Sequence, residues 1–345
     1  MEPGATLLKE IGGEAGCRRL SAEFYGRVGK DPALRSLFPG QSLRCAIEAF
    51  SAFLIQFLGG DEEQTQSRWW LSLRESHARF RIGVTERSAW LKHMQAALEA
   101  APLDPSTRQA LGQFFLHSSA YVIKTETPAL EHEELAARWG HQHVLDDTIA
   151  AIEAGLDDKV TVLAPRFVSR PAVFVGLLAR MLKSGRSRLI DFVVAAMERD
   201  ASLATRRYGG RTLLHYAAGA GCREVVESLL RHGAAPDIPD SGGHTPLYRL
   251  ANECASETGS EVLLTLVRAG ADVNARNGST RATALHMAAR RGYADIARAL
   301  LDCGAAIDAR DKKGDTPLQR AINCRQDRVA QLLAERGAGH ASRRR

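Results

Sequence analysis

A histidine and a tryptophan at a short, fixed spacing are the residues of this chain best suited to metal chemistry. His77 opens the run 77–83 (HARFRIG), and Trp90 follows it closely. Imidazole is a common metal ligand and one of the axial ligands of haem iron. An indole on the next helix could cover the same site with a large apolar ring and an N–H donor. A lone histidine is more often a core or surface residue, so the neighbouring sequence decides the interpretation.

Helical patterns surround these two residues. Thr85 is predicted as the N-cap of the helix that carries Trp90, and Asp104 with Pro105 as the start of the next helix. Spacings of three and four give an earlier segment one apolar face, made of Ala46, Ala49, Phe50, Phe53, Leu54 and Phe57. No alternating strand pattern occurs in this part of the chain. The first third is therefore predicted to be a small all-α domain.

Several short sequence motifs in this region, together with the His77 run and Trp90, resemble those of a truncated haemoglobin of group II. They are 11–13 (IGG), 24–28 (FYGRV), 31–35 (DPALR), 37–40 (LFPG) and 57–60 (FLGG). These motifs occur in the same order and at the same spacing as in that family, over about residues 5–126. The resemblance implies a globin with two helices packed over two.

The resemblance implies that His77 binds the iron of haem b and leaves the sixth coordination position open for dioxygen or another diatomic gas. Tyr25 and Trp90 would then donate hydrogen bonds to the gas, since Ala46 at the usual distal histidine position cannot donate. Buried aromatics whose polar tips reach a carbonyl are the alternative for both donors. Basic side chains, among them Arg79, could meet the haem propionates. The full set implied to contact haem is Tyr25, Phe38, Ala46, Phe50, Phe53, Arg74, His77, Arg81 and Trp90.

The second half of the chain is an internal repeat. The words TLLH, TPLY, TALH and TPLQ begin at Thr212, Thr245, Thr283 and Thr316. A period close to 33 residues with this motif resembles the ankyrin family, whose repeats are a turn and two helices that stack on their neighbours. The resemblance implies a solenoid that binds a protein partner, and it implies structural roles for His215 and His286.

The repeat pattern also suggests boundaries. Residues 1–126 form the predicted globin domain, 127–170 a helical joint, 171–340 the repeat array and 341–345 a basic tail. Within the array, 171–204 is predicted to be a divergent capping repeat that precedes four repeats. The longer second spacing predicts an insertion at Glu253–Ser260. His141 and His143 in the joint could bind a metal, although a solvated helix start explains them as well.

Composition narrows the class of protein. The chain has 345 residues, 45% of them apolar and 25% charged, as in globular proteins with more than one domain. Its six cysteines lack CxxC spacing, which argues against a zinc site or a disulfide framework. No apolar run reaches the length of a membrane span, and the first residues lack a secretory-leader pattern, so a cytoplasmic protein is expected. Residues 171–345 carry 27 Lys and Arg against 18 Asp and Glu, which favours an acidic partner, while nucleic-acid binding is not expected without a matching motif.

Three functions follow from these features. The first is a haem protein that binds dioxygen or a related gas as a carrier or sensor and is tethered to a protein partner by ankyrin repeats. The second is a haem enzyme, a nitric oxide dioxygenase or a peroxidase-like protein, which would need a separate reductase. The third is an ankyrin scaffold whose globin binds no haem.

Overall fold

A computed structural model of the protein describes residues 6–38, 42–60, 73–77, 80–123, 125 and 130–339. The chain divides into two compact units, Met1–Ala154 and Gly155–Arg345. Residues 127–170, predicted as a joint, are thus shared between both units. The basic tail at 341–345 lies outside the described residues. No helix in the described parts combines the length and the apolar character needed to cross a membrane.

Helices joined by short turns make up the described residues of the first unit. Helix α2 packs on α4, α6 packs on α7, and α2 also contacts α6, so two helical pairs enclose a common core, as predicted for a two-over-two globin. Phe24, Phe114 and Phe115 are buried at its centre. The helices are α1 (Thr6–Glu10), α2 (Gly13–Val28), α3 (Pro32–Arg35), α4 (Arg44–Phe57), α5 (Leu73–His77), α6 (Val84–Ala100), α7 (Pro105–Val122) and α8 (Glu133–Ala154).

Helix starts in this unit follow from local side chains. The Asp104 carboxylate accepts from the amides of Ser106 and Thr107 at 2.9 and 3.0 Å, which confirms the predicted cap of α7. The predicted cap Thr85 is wrong, because α6 already begins at Val84 with Gly83 as its N-cap. There the Glu86 carboxylate accepts from the Gly83 amide at 2.8 Å, so an acceptor three residues into the helix takes the place of the hydroxyl.

The second unit is a stack of helical pairs with one small hairpin, in which Arg207 pairs with Thr212 and Tyr208 with Arg211. Each pair packs on the next, first helix on first helix and second on second. The helices are α9 (Asp157–Leu163), α10 (Pro171–Ser184), α11 (Ser187–Arg199), α12 (Leu213–Ala220), α13 (Arg223–Arg231), α14 (Pro246–Glu253), α15 (Gly259–Arg268), α16 (Ala284–Arg291), α17 (Ala294–Asp302), α18 (Pro317–Asn323) and α19 (Asp327–Glu335); 3-10 turns span Ala164–Phe167 and Ala201–Ala204, and the strands are β1 (Arg207–Tyr208) and β2 (Arg211–Thr212).

Two predictions about the repeats are confirmed. Residues 254–258 connect α14 to α15, three residues more than the connection 221–222 between α12 and α13, so the predicted lengthened connection is present. His215 is fully buried, its Nδ1 accepts from the Thr212 amide at 3.2 Å, and its Nε2 lies 3.0 Å from the His244 carbonyl oxygen. His286 makes the same pair of bonds, to Thr283 and to the Asp315 carbonyl. Both histidines therefore join one repeat to the turn of the next.

These histidines should make the stability of the second unit depend on pH. Burial lowers the pKa of His215 from 6.5 to about 4, although the hydrogen bond to the His244 carbonyl and the charge of Asp240 oppose the change, and burial also lowers the pKa of His286. As the pH falls, the unfolded chain takes up protons before the folded chain does. We therefore expect the free energy of unfolding to fall between about pH 6.5 and pH 4, by roughly 3 kcal/mol for His215.

Urea unfolding followed by circular dichroism at pH 7 and pH 4.5 measures this effect. His215→Gln should lower the stability at both pH values because it loses hydrogen bonds, yet it should flatten the dependence on pH. His141→Gln is the control, since His141 is exposed in the first unit. An unchanged pH dependence in His215→Gln would contradict the assignment.

Candidate functional site

His77 is the last residue of α5, and its ring is held from within the same short helix. Its Nδ1 lies 2.8 Å from the carbonyl oxygen of Leu73 and 2.9 Å from the hydroxyl of Ser76, which itself donates to Leu73 at 2.7 Å. A carbonyl oxygen can only accept, so Nδ1 carries the proton and Nε2 carries the lone pair. Metal-binding histidines commonly have one ring nitrogen bonded to a backbone carbonyl in this way, with the other nitrogen as the ligand atom.

His77 lines a largely apolar cavity enclosed by α2, α4, α5, α6 and α7. Of the residues implied to contact haem, the cavity brings together Tyr25, Phe38, Ala46, Phe50, Phe53, His77 and Trp90. Arg81 is exposed and is not part of the lining. The side chains of Arg74 and Arg79 lie outside the described residues. The cavity thus gathers the aromatic and imidazole members of the predicted set without Arg81.

Aromatic rings form much of the wall. The Tyr25 ring meets the edge of Phe38 at a centroid distance of 5.6 Å and that of Phe50 at 6.1 Å. Trp90 contacts Phe50 at 6.5 Å, and Phe80 lies between Phe38 and His77 at 5.5 and 6.4 Å. Edge-to-face packing of this kind holds large rings in fixed orientations. The wall is therefore suited to a flat apolar ligand.

Two polar tips face this cavity without protein partners. Among the described residues, neither the hydroxyl of Tyr25 nor the indole N–H of Trp90 makes a hydrogen bond, so the alternative of a carbonyl partner receives no support. Burial raises the pKa of Tyr25 far above its usual value of 10, so the hydroxyl stays a neutral donor. Buried polar groups are nearly always satisfied in folded proteins, and donors left open in a cavity are available to a ligand.

The cavity also contains polar residues that the sequence did not indicate. Arg87 lies one turn before Trp90 on α6, and its guanidinium donates to the Ser119 hydroxyl and to the Leu116 carbonyl oxygen, each at 3.0 Å. Ser118 and Ser119 of α7 line the same wall. The helical spacing of Arg87 and Trp90 was the one signal that could have indicated this arginine. Arg87 makes no ion pair with a described carboxylate, so its charge can serve an anionic ligand group.

The histidine pair on α8 has other contacts. His141 Nδ1 lies 2.8 Å from the carbonyl oxygen of Ala137, and the ring of His143 packs on Tyr121 with a centroid distance of 4.3 Å. In the part of the chain that the structure describes, no three His, Cys, Asp or Glu side chains form a group that could hold a metal ion. The cavity at His77 remains the candidate site of the first unit.

In the second unit, the turns that precede the first helix of each repeat form a continuous strip, here called the turn edge (residues 207–212, 240–244, 276–282 and 310–315). The Ser241 amide donates to the Gly210 carbonyl at 3.0 Å, and the Lys312 amide donates to Thr280 at 2.7 Å. The Asp240 and Asp311 carboxylates are buried and paired with Arg249 and Arg320. The acidic groups of the strip thus point inward.

Cations of the turn edge, in contrast, point outward. Arg207 donates to the Pro239 carbonyl at 2.9 Å and Arg276 to the Arg310 carbonyl at 2.8 Å, so both keep their full positive charge. Within the described residues, an exposed set of basic side chains has no carboxylate partner: Arg207, Arg276, Arg281, Arg310, Lys312 and Lys313. The turn edge is therefore a basic surface.

Comparison with known proteins agrees with both halves of this description. Residues 6–143 match the family model of bacterial-like globins. Residues 178–277 and 252–343 match the model of three ankyrin repeats. The globin match supports a haem-binding and gas-binding role, and the ankyrin match supports protein interaction.

Curated relatives resemble only part of the chain. A Caenorhabditis elegans protein called "Ankyrin repeat and KH domain-containing protein mask-1" is 41% identical over 128 residues, which is 37% of this chain and 5% of that protein. The mouse "B-cell lymphoma 3 protein homolog" is 35% identical over 150 residues, 43% of this chain and 32% of that protein. Human "SH3 and multiple ankyrin repeat domains protein 2" is 33% identical over 148 residues, 43% of this chain and 8% of that protein. The chain spans a third or less of the length of these relatives.

Proposed function

Since the chain joins a bacterial-like globin domain to ankyrin repeats, we propose that it binds haem b through His77 and holds a diatomic gas, dioxygen or nitric oxide, beside Tyr25 and Trp90. The observation that carries this proposal is the hydrogen bond from His77 Nδ1 to the Leu73 carbonyl, within a cavity lined by rings. That bond leaves Nε2 as the ligand atom.

The residues of the cavity fit a porphyrin. Phe38, Phe50 and Phe53 supply flat apolar surface against which a porphyrin could pack. The guanidinium of Arg87 lies at the same wall and is a candidate partner for a propionate in place of the exposed Arg81. When bound, haem supplies an iron that takes a diatomic gas as its ligand.

Tyr25 and Trp90 determine which gases the site retains. A neutral hydroxyl and an indole N–H both donate, so they stabilise a ligand that draws negative charge and do little for a ligand that stays neutral. Because the pKa of Tyr25 is raised, its proton is kept at neutral and mildly alkaline pH. These hydrogen bonds thus strengthen the binding of dioxygen relative to that of carbon monoxide.

The absorption spectrum of the purified full chain tests the proposal. With haem added, the ferric, ferrous and gas-bound forms should each show an intense Soret band at its own position. Gel filtration should show one haem eluting with each chain. A chain that remains colourless after reconstitution, while circular dichroism shows it to be helical, would favour the haem-free scaffold and end the proposal.

For the ankyrin unit we propose an acidic protein segment as the partner, bound along the turn edge. The support is the charge of that surface, where the exposed cations lack carboxylate partners and the aspartates are buried. Charge complementarity of this kind steers association and depends on salt.

Fluorescence anisotropy with a labelled glutamate decapeptide tests this partner class. Lys312→Glu with Lys313→Glu should weaken binding about tenfold or more at low salt, since two attractive charges become repulsive. The control with the same change in charge is Arg231→Glu with Arg268→Glu, which lie at the ends of α13 and α15 outside the turn edge. Equal weakening by the control pair, or tighter binding of an equally charged DNA strand than of the peptide, would reject the acidic segment.

A further inference from the structure

Asp146 is a buried carboxylate on α8, the helix that follows the last helix of the two-over-two arrangement. Only 3% of the residue is exposed. Its Oδ1 accepts from the Leu73 amide at 3.1 Å and from the Gln142 side-chain amide at 2.9 Å, and its Oδ2 accepts from the Tyr121 hydroxyl at 3.0 Å. A carboxylate is costly to bury unless such donors compensate it, so this residue is held in place by several bonds at once.

Leu73 connects this carboxylate to the proximal histidine. The Leu73 amide donates to Asp146, and the Leu73 carbonyl accepts the Nδ1–H of His77 at 2.8 Å. The Leu73 side chain is itself buried and lines the cavity. Leu73 thus takes part both in the hydrogen bond to α8 and in the hydrogen bond that sets the tautomer of the imidazole.

The shortness of α5 makes this bond to α8 important. The helix spans only Leu73–His77, so it has few internal hydrogen bonds. The amides of its first turn have no acceptor within the helix. Contacts from neighbouring helices must therefore set its position, and α5 packs on both α7 and α8. Asp146 supplies a charge-assisted bond at the first residue of α5.

We infer that Asp146 is a positioning residue for His77, which makes α8 part of the iron site. The inference rests on the proposed function, because it concerns how the imidazole is presented to haem iron. It adds that α8, which ends at Ala154, the last residue of the first unit, affects the strength of the iron–histidine bond. A displacement of α8 would then be transmitted to His77 through the Asp146–Leu73 and Leu73–His77 hydrogen bonds.

Asp146→Ala in the full chain tests the inference. Loss of a group that orients a metal-bound histidine commonly weakens metal binding 10- to 100-fold, so we expect haem loss to an excess acceptor protein to become about tenfold faster or more. The iron–histidine stretching band of the ferrous, gas-free protein should shift in resonance Raman spectra. In the haem-free chain, amide hydrogen exchange of 73–77 should accelerate.

Three further variants separate positioning from general stability. Asp146→Asn keeps an acceptor but not the charge, so exchange at 73–77 and haem loss should lie between the wild type and Asp146→Ala. Tyr121→Phe removes one donor to Asp146 and leaves the bond to Leu73, so its Raman band should match the wild type. Glu153→Ala removes an exposed carboxylate from the same helix and should change nothing.

The outcomes distinguish this inference from the proposed function. A wild-type chain that takes up no haem rejects the proposed function, whatever the exchange data show. A wild-type chain that binds haem, with Asp146→Ala unchanged in Raman band and in exchange at 73–77, rejects the positioning role alone. If Asp146→Ala does not fold, Asp146→Asn decides, and exchange at 73–77 equal to the wild type would then overturn the inference.

Discussion

Replacement of His77 by alanine is expected to abolish stable haem binding while leaving the helical content of the chain unchanged. In the proposed site the imidazole supplies the ligand atom, since Nδ1 donates to the Leu73 carbonyl and Nε2 carries the lone pair. Alanine offers no ligand atom, and the apolar wall alone binds a porphyrin without fixing its iron. Titration of the variant with haem, followed at the Soret band, should show weak binding without the wild-type spectrum.

Two companions make this result specific. His141→Ala removes an exposed histidine whose ring bonds to the Ala137 carbonyl, and it should bind haem as the wild type does. In His77→Gly, added free imidazole should restore a histidine-like spectrum, because the small ligand can occupy the vacated space. A His77→Ala chain with an unaltered Soret band in the ferrous state would mean that another residue binds the iron.

The sequence predicted the aromatic and imidazole lining of the cavity better than its polar lining. Short sequence motifs and their order along the chain were sufficient to select His77, Tyr25 and Trp90. Arg87 and Ser119 are far apart in sequence and meet only when α6 packs on α7, so no local pattern joins them. The N-cap of α6 at Gly83 was not predicted for a related reason. Glycine has no side chain that could mark a cap, and the acceptor of the capping hydrogen bond belongs to Glu86.

The segment after α7 shows the same limit of local patterns. Periodicity indicated two helical patterns, His132–Trp139 and Val144–Glu153, where the structure has one helix, Glu133–Ala154, and it did not indicate the unit on which the apolar face of that helix packs. The structure places Leu135 and Trp139 in the core of the first unit, and the globin match runs to residue 143. Asp146 looked like one acidic residue among several in this segment, and its bond to Leu73 could not be read from the sequence. The threonine motifs of the repeats, in contrast, act within one turn: the hydroxyls of Thr245 and Thr316 accept from the amides three residues on and cap α14 and α18.

Loss of the two donors in the cavity should speed the release of dioxygen. Tyr25→Phe and Trp90→Phe each remove a polar tip and keep an aromatic ring in the wall. A hydrogen bond to a partly charged ligand in a dry site contributes about 1–3 kcal/mol, which corresponds to a dissociation rate about five- to 150-fold higher for each variant. Stopped-flow mixing of the dioxygen complex with a dioxygen scavenger measures that rate. The double variant shows whether the two donors act on the same ligand, because coupled donors are not additive.

Carbon monoxide provides the internal control for this prediction. It remains nearly neutral when bound, so its dissociation rate should change much less than that of dioxygen in the same variants. The raised pKa of Tyr25 adds a second expectation, namely that the wild-type rate stays flat from neutral to mildly alkaline pH, since the hydroxyl keeps its proton there. Equal acceleration for both gases in Tyr25→Phe would indicate that the ring change opens the cavity, and the hydroxyl would then have no role as a donor to the gas.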